Sequence, residues 1–125
     1  MSTGKVLIVD DELEVRQILQ EFLAHKGYEV HAAESGPEAL NALDIFKPDV
    51  VLLDVSMPEM DGVETLSRLR EDARTATIPV IFLTAKALPS EIERLRRLGA
   101  LDVVVKPFNP MTLADELRTI LSGVA

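Results

Sequence analysis

Val50-Val51-Leu52-Leu53 is an unbroken apolar run that stops at Asp54, and Pro58 and the pair Asp61-Gly62 follow as turn signals. A continuous apolar run of this length, rather than an alternating one, suits a strand buried on both faces, and so a sheet with helices above and below. Val6 to Val9 and Pro79 to Leu83 are similar runs, and Tyr28 to Ala33 and Leu101 to Val105 read as the remaining strands. After each run the apolar spacing turns helical. Leu13, Ile18, Leu19, Phe22 and Leu23, with Val15 beside them, form a first stripe that Gly27 can stop. Ser35-Gly36-Pro37-Glu38 has capping-box spacing before Leu40, Leu43 and Phe46, and Lys47-Pro48 ends that helix. Val63, Leu66 and Leu69 mark an outer third helix, with Arg68 and Arg70 on its solvated side. Ile92, Leu95 and Leu98 are the inward face of a fourth, opened by Pro89 and closed by Gly99. Asn109-Pro110 caps a fifth, whose stripe is Leu113, Leu117, Ile120 and Leu121. Five strand-helix units imply a three-layer, doubly wound α/β sandwich, because parallel neighbours need crossover helices.

At 125 residues and 47% hydrophobic content, residues 1–125 read as a single domain with an adequate core. The absence of cysteine excludes a disulfide framework and thiolate chemistry. A net charge of −8 opposes direct nucleic-acid binding, which needs a basic face. No apolar stretch approaches the ~18 residues of a membrane span, and the N-terminus has no signal-peptide pattern. A soluble cytoplasmic protein with no membrane contact is expected.

The chemically suggestive residues share one location. Asp10 and Asp11 follow strand 1, Asp54 strand 3, Thr84 strand 4 and Lys106 strand 5. In an open parallel sheet that C-terminal edge is where ligands bind. Singly, each acid reads as a turn former or helix cap, Asp11 or Glu12 as a helix N-terminal charge, Thr84 as a strand residue and Lys106 as a solvated cation. Together, three carboxylates, a hydroxyl and an ammonium suit a small divalent cation and a phosphoryl group held side by side. His25 and His31 have no ligand partner in sequence and read as surface groups; Met57 and Met60 read as loop packing.

Over its full length the chain resembles the response-regulator receiver domains of two-component signalling. The resemblance rests on Asp10-Asp11, Asp54 with Met57-Pro58 and Asp61-Gly62, Thr84-Ala85, and Lys106-Pro107-Phe108, in the family's order and spacing. It implies a flavodoxin-like (βα)5 fold with strand order 2-1-3-4-5. It implies Asp54 as phosphoacceptor from a histidine kinase, a histidine phosphotransfer protein or a small acyl phosphate. Mg²⁺ would be held directly by Asp11, mostly through water by Asp10, and by Asp54 and the Ser56 carbonyl. Thr84, Ala85 and Lys106 would take the phosphoryl oxygens, and a cis Lys106-Pro107 bond would aim the lysine. The expected output is a switch of the helix 4, strand 5 and helix 5 face, read by a downstream protein target, with no catalysis beyond the domain's own phosphorylation and dephosphorylation.

The pattern departs from the family at Val103, where an aromatic switch residue is usual. Ser56 and Lys86 occupy positions that tune phosphoryl lifetime in relatives. Ile92 and Glu116 stand where one transcription-factor subfamily carries basic dimer partners, so a monomer or weak dimer is expected. Among rival functions, a Mg²⁺-dependent phosphohydrolase lacks its second acid in Asp54-Val55-Ser56. A nucleotide- or flavin-binding domain would need a Gly- or hydroxyl-rich loop where Asp10-Asp11-Glu12 stands. An interaction module that never uses its phosphorylation site is a third reading.

Overall fold

The computed structural model describes residues 4–123. Strands β1 (Lys5–Val9), β2 (Glu29–Ala33), β3 (Val50–Asp54), β4 (Val80–Thr84) and β5 (Asp102–Val105) alternate with helices α1 (Leu13–His25), α2 (Gly36–Phe46), α3 (Gly62–Glu71), α4 (Pro89–Arg97) and α5 (Pro110–Gly123). The strands form one parallel sheet in the order β2-β1-β3-β4-β5. Because side chains alternate along a strand, each apolar run feeds two cores. Leu7, Val9, Val51, Leu53, Val80 and Phe82 pack under α2, α3 and α4, against Leu43, Leu66, Leu69 and Leu95. Val6, Ile8, Val50, Leu52, Ile81 and Leu83 pack under α1 and α5, against Leu19, Leu23, Leu113 and Leu117. The doubly wound sandwich follows from that division.

Helix ends are fixed locally. The Ser35 hydroxyl accepts from the Glu38 N–H at 3.2 Å, and Asp61 Oδ1 accepts from the Glu64 N–H at 2.8 Å. Asn109 Oδ1 accepts from the Met111 N–H, as its place before Pro110 predicts. Gly27 and Gly99, at φ 97° and 106°, end α1 and α4 in the left-handed region that glycine enters without penalty.

Three sequence expectations fail on helix phase and length. Leu13 and Ile18 are 57% and 54% exposed, not inward. The face of α1 against the sheet is Val15, Leu19, Phe22 and Leu23, and at 3.6 residues per turn Ile18 lies about 100° from Leu19. Leu98 is 41% exposed, because α4 stops at Arg97 and leaves it as the cap. Arg70 is not on a solvated face: its guanidinium donates to the Ile78 and Gly99 carbonyls, tying the end of α3 to two loops.

Candidate functional site

The chain steps from β1 outward to β2, returns across β1 to β3 and continues to β4 and β5, so the reversal lies between β1 and β3. Their C-terminal tips carry Asp10 and Asp54. Both are buried, at 0% and 4% exposure. Asp10 is held from several sides: Oδ1 accepts from the Glu12 N–H at 2.9 Å and Oδ2 from Lys106 Nζ at 2.8 Å. Its own N–H donates to Ala33 at the tip of β2. Asp54 accepts a 3.3 Å bond from the Ser56 N–H and has Lys106 Nζ 3.6 Å from Oδ1. Val55 continues the ladder by donating to Leu83, which fixes the strand end that aims this carboxylate.

Asp10, Asp11, Glu12 and Asp54 each place a carboxylate oxygen within 4.8 Å of the others, with Asp11 and Glu12 exposed and the other two buried. Burial disfavours the charged form of Asp54, and the Asp10 charge adds repulsion; together they push its carboxyl up to about 7 against the opposing pull of Lys106 and the Ser56 N–H. Burial of the Lys106 ammonium works against its charge, yet its bonds to Asp10 and Glu12 and the charges of Asp10 and Asp54 outweigh that and hold it above the usual lysine range. One ammonium thus faces a surplus of carboxylates. A hard divalent cation, which takes oxygen donors and keeps waters on its open side, suits such a set.

The other expected residues fall as follows. Thr84 is 3% exposed at the tip of β4, and its hydroxyl accepts from the Lys86 N–H at 3.1 Å, within its own loop. The Lys106 N–H donates to the Thr84 carbonyl at 2.7 Å, joining the two strand ends, and the Lys106-Pro107 bond is cis. Ala85 is exposed and lines a groove of about 520 Å³ with Lys106, Glu12, Val15, Ile18 and Phe108. Ser56 is exposed and touches the site through its backbone. Val103 is half-buried and packs against the core that includes Phe82 and Leu95. The residue the sequence reading missed is Glu12, whose Oε1 lies 3.0 Å from Lys106 Nζ. Its signal in the sequence is a third consecutive acid, which by itself reads as a helix N-terminal charge. His25 and His31 are exposed, the latter tilted against Phe46 at 5.5 Å. Met57 is buried in the core, a stronger role than loop packing.

Residues 6–118 match the family model described as the response regulator receiver domain. Among curated relatives, the chain is 44% identical over 117 residues to the probable transcriptional regulator ycf27 of Guillardia theta, covering 94% of this chain and 45% of that protein. It is 43% identical over 120 residues to the transcriptional regulatory protein CpxR of Escherichia coli K12, covering 94% and 49%. The chain spans about half the length of these relatives, or less. A solved structure of the chemotaxis response regulator CheY4 of Vibrio cholerae aligns with a TM-score of 0.87 at 37% identity, covering 94% of this chain and 98% of that one.

Proposed function

Because the chain belongs to the response regulator receiver domains, signalling domains that histidine kinases generally phosphorylate, we propose that Asp54 is its phosphoacceptor. The observation that carries this reading is the setting of Asp54. It is a nearly buried carboxylate on the central strand, with one oxygen facing the Lys106 ammonium and the acid cluster beside it. An Asp54 carboxylate oxygen attacks phosphorus in line. The bond to the new acyl phosphate forms as the bond to the donor's imidazole nitrogen, or to the carboxylate of a small acyl phosphate, breaks. Lys106 takes charge on the transferred phosphoryl oxygens, and the Thr84 hydroxyl and the Ala85 backbone N–H donate to them as well. Asp11, Asp10, Asp54 and the Ser56 carbonyl are the residues that would hold Mg²⁺. Bound there, Mg²⁺ supplies the positive charge that keeps Asp54 ionised and offsets the phosphoryl charge.

The groove beside Lys106 is lined mainly by apolar side chains, and the exposed Ile18 lies on its wall. It gives a protein donor, a histidine kinase or a histidine phosphotransfer protein, an apolar footing next to the acceptor. The partner on the output side is a downstream protein that reads the α4, β5 and α5 face of a monomer or weak dimer. Incubation with acetyl phosphate and Mg²⁺ is expected to add one phosphoryl group, labile to base and hydroxylamine. Asp54→Asn is expected to take none. Undiminished labelling of that variant, seen by intact-mass measurement, overturns the assignment.

The signal is expected to leave through the loop over residues 84–89. Phosphorylation adds charge and strong acceptor oxygens, which draw the Thr84 hydroxyl away from the Lys86 N–H. Residues 85–90 are exposed, so they rearrange at little packing cost. Val103 has no ring to swing and sits against the Phe82 and Leu95 core. Amide chemical shifts with and without beryllofluoride, a phosphoryl mimic, should therefore move most over residues 84–89. Large changes centred on Val103 and α5, with little at Ala85 to Leu88, would contradict this route.

A further inference from the structure

Lys106 has three N–H donors, and before phosphorylation two of them are engaged by carboxylates other than Asp54. Asp10 Oδ2 lies at 2.8 Å and Glu12 Oε1 at 3.0 Å, whereas Asp54 Oδ1 is at 3.6 Å. Asp10 is a fixed structural partner, fully buried and bonded on both oxygens. Glu12 differs. Its backbone is pinned, because its N–H donates to Asp10 and its carbonyl accepts from the Arg16 N–H at the start of α1. Its side chain is 61% exposed and its carboxylate reaches the ammonium from the solvent side of the site, the side from which an anionic donor arrives.

We propose that Glu12 is a positioning residue that acts through Lys106. Its carboxylate stands in for a phosphoryl oxygen and holds the ammonium in reserve until a phosphoryl group displaces it. The inference rests on the reading of Asp54 as phosphoacceptor. A phosphoryl group carries about −1.5 to −2 charge and outcompetes a single exposed carboxylate for the same N–H, so the exchange runs toward the phosphorylated state. Glu12 thereby slows loading from small anionic donors by occupying Lys106. An exposed ion pair is a weak restraint, so the expected effect is roughly two- to fivefold. That is enough to discriminate against adventitious acyl phosphates, while a docked protein donor, which positions its phosphoryl group by contacts elsewhere, overrides it.

The test compares Glu12→Gln with Glu14→Gln, which makes the same change in net charge two residues further on, in the first turn of α1, at a residue with no described contact to Lys106. Labelling by acetyl phosphate in Mg²⁺ gives the apparent second-order rate constant. Beryllofluoride titration gives an equilibrium readout, and the ¹⁵Nζ resonance of Lys106 reports its partner directly. Glu12→Gln is expected to raise both rate constant and affinity by roughly two- to fivefold and to shift the Lys106 resonance in the unphosphorylated protein. Glu14→Gln should leave that resonance in place and change the rate by less. In a Lys106→Ala background the Glu12 effect should vanish. Equal effects from the two single variants, or an effect that persists without Lys106, would mean long-range charge alone and overturn the proposal. A parent protein that takes neither phosphoryl group nor beryllofluoride removes the function proposed above and this inference with it; a parent that loads normally while Glu12→Gln behaves identically removes only the inference.

Discussion

Asp54→Asn is expected to melt roughly 5 to 10 °C above the parent in EDTA at pH 8, although it removes a side chain at the centre of the site. Two carboxylates 4 Å apart at an effective dielectric of 20 repel by about 4 kcal/mol, and Asp54 and Asp10 are both buried within a group whose oxygens lie within 4.8 Å of one another. Lys106 offsets part of that repulsion, but the balance on Asp54 still points upward, from 3.8 to about 7. A carboxyl raised on folding is one the native state prefers to keep protonated. Its contribution is fully present below the unfolded value near 3.8 and is lost as pH rises through about 7. By linkage the loss amounts to at most ~4 kcal/mol, a large share of the stability of a small domain. The metal-free parent should therefore weaken between pH 4 and 8, while Asp54→Asn should follow a flatter curve. Millimolar Mg²⁺ should restore the parent most at the alkaline end and leave the variant comparatively unmoved, because a cation that binds only the native state stabilises it by mass action. Calorimetric scans across pH, with EDTA or Mg²⁺, check all three expectations. A parent melting temperature indifferent to millimolar Mg²⁺ at pH 8 would remove the metal assignment.

What the sequence revealed, and what it concealed, divides by the range of the interaction. β3 and β4 were legible because their burial on both faces forces continuous apolar runs, and Asp54 and Thr84 were legible as the polar residues that end those runs. The caps at Ser35 and Asn109 were legible because a cap is a bond between neighbours three residues apart or fewer. The phase of α1 was not, since Leu13 and Ile18 are as apolar as Leu19 and only docking on the sheet decides which of them turns inward. Arg70 shows the same limit: its two carbonyl partners lie on loops that the helix pattern does not mention. Glu12 is the clearest case at the site. Locally it is a helix N-terminal acid, and its second role exists only because the tip of β5 brings a lysine 94 residues away to within 3.0 Å. The direction of the Thr84 hydroxyl, into its own loop, is likewise a rotamer choice that residue type leaves open.

Gly62→Ala should destabilise the domain by at least about 2 to 3 kcal/mol, in the opposite direction to helix propensity. Gly62 is the first residue of α3, and alanine is favoured over glycine within a helix by about 1 kcal/mol, so propensity alone predicts a gain. Space decides otherwise. The Gly62 N–H donates to the Val55 carbonyl at 2.9 Å, which brings the start of α3 directly against the end of β3. A Cβ on Gly62 would fall on the Asp54 carbonyl oxygen and lie 2.9 Å from Val55 Cα, and both are backbone atoms. Neither can swing aside: Asp54 is in register with Leu83, and the Val55 N–H donates to the Leu83 carbonyl at 3.0 Å. On the other side Asp61 holds α3 through the Glu64 N–H and the Thr65 hydroxyl. Relief requires moving α3 away from the sheet or tilting the strand tip that aims the Asp54 carboxylate, so the variant should lose acetyl phosphate labelling out of proportion to its loss of folded protein. Gly36→Ala supplies the comparison. Its Cβ would also meet close neighbours, but these are side-chain atoms: the flexible Met60 thioether can yield, and the buried Thr65 hydroxyl must give up its bond to the Asp61 carbonyl, a smaller loss than a shift of strand backbone. Denaturant midpoints and labelling yields for the two variants, measured side by side, should rank Gly62→Ala well below Gly36→Ala in both. If Gly62→Ala matched the parent in stability and labelling, the close seating of α3 on the backbone of Asp54 and Val55 could not be what fixes the position of that carboxylate.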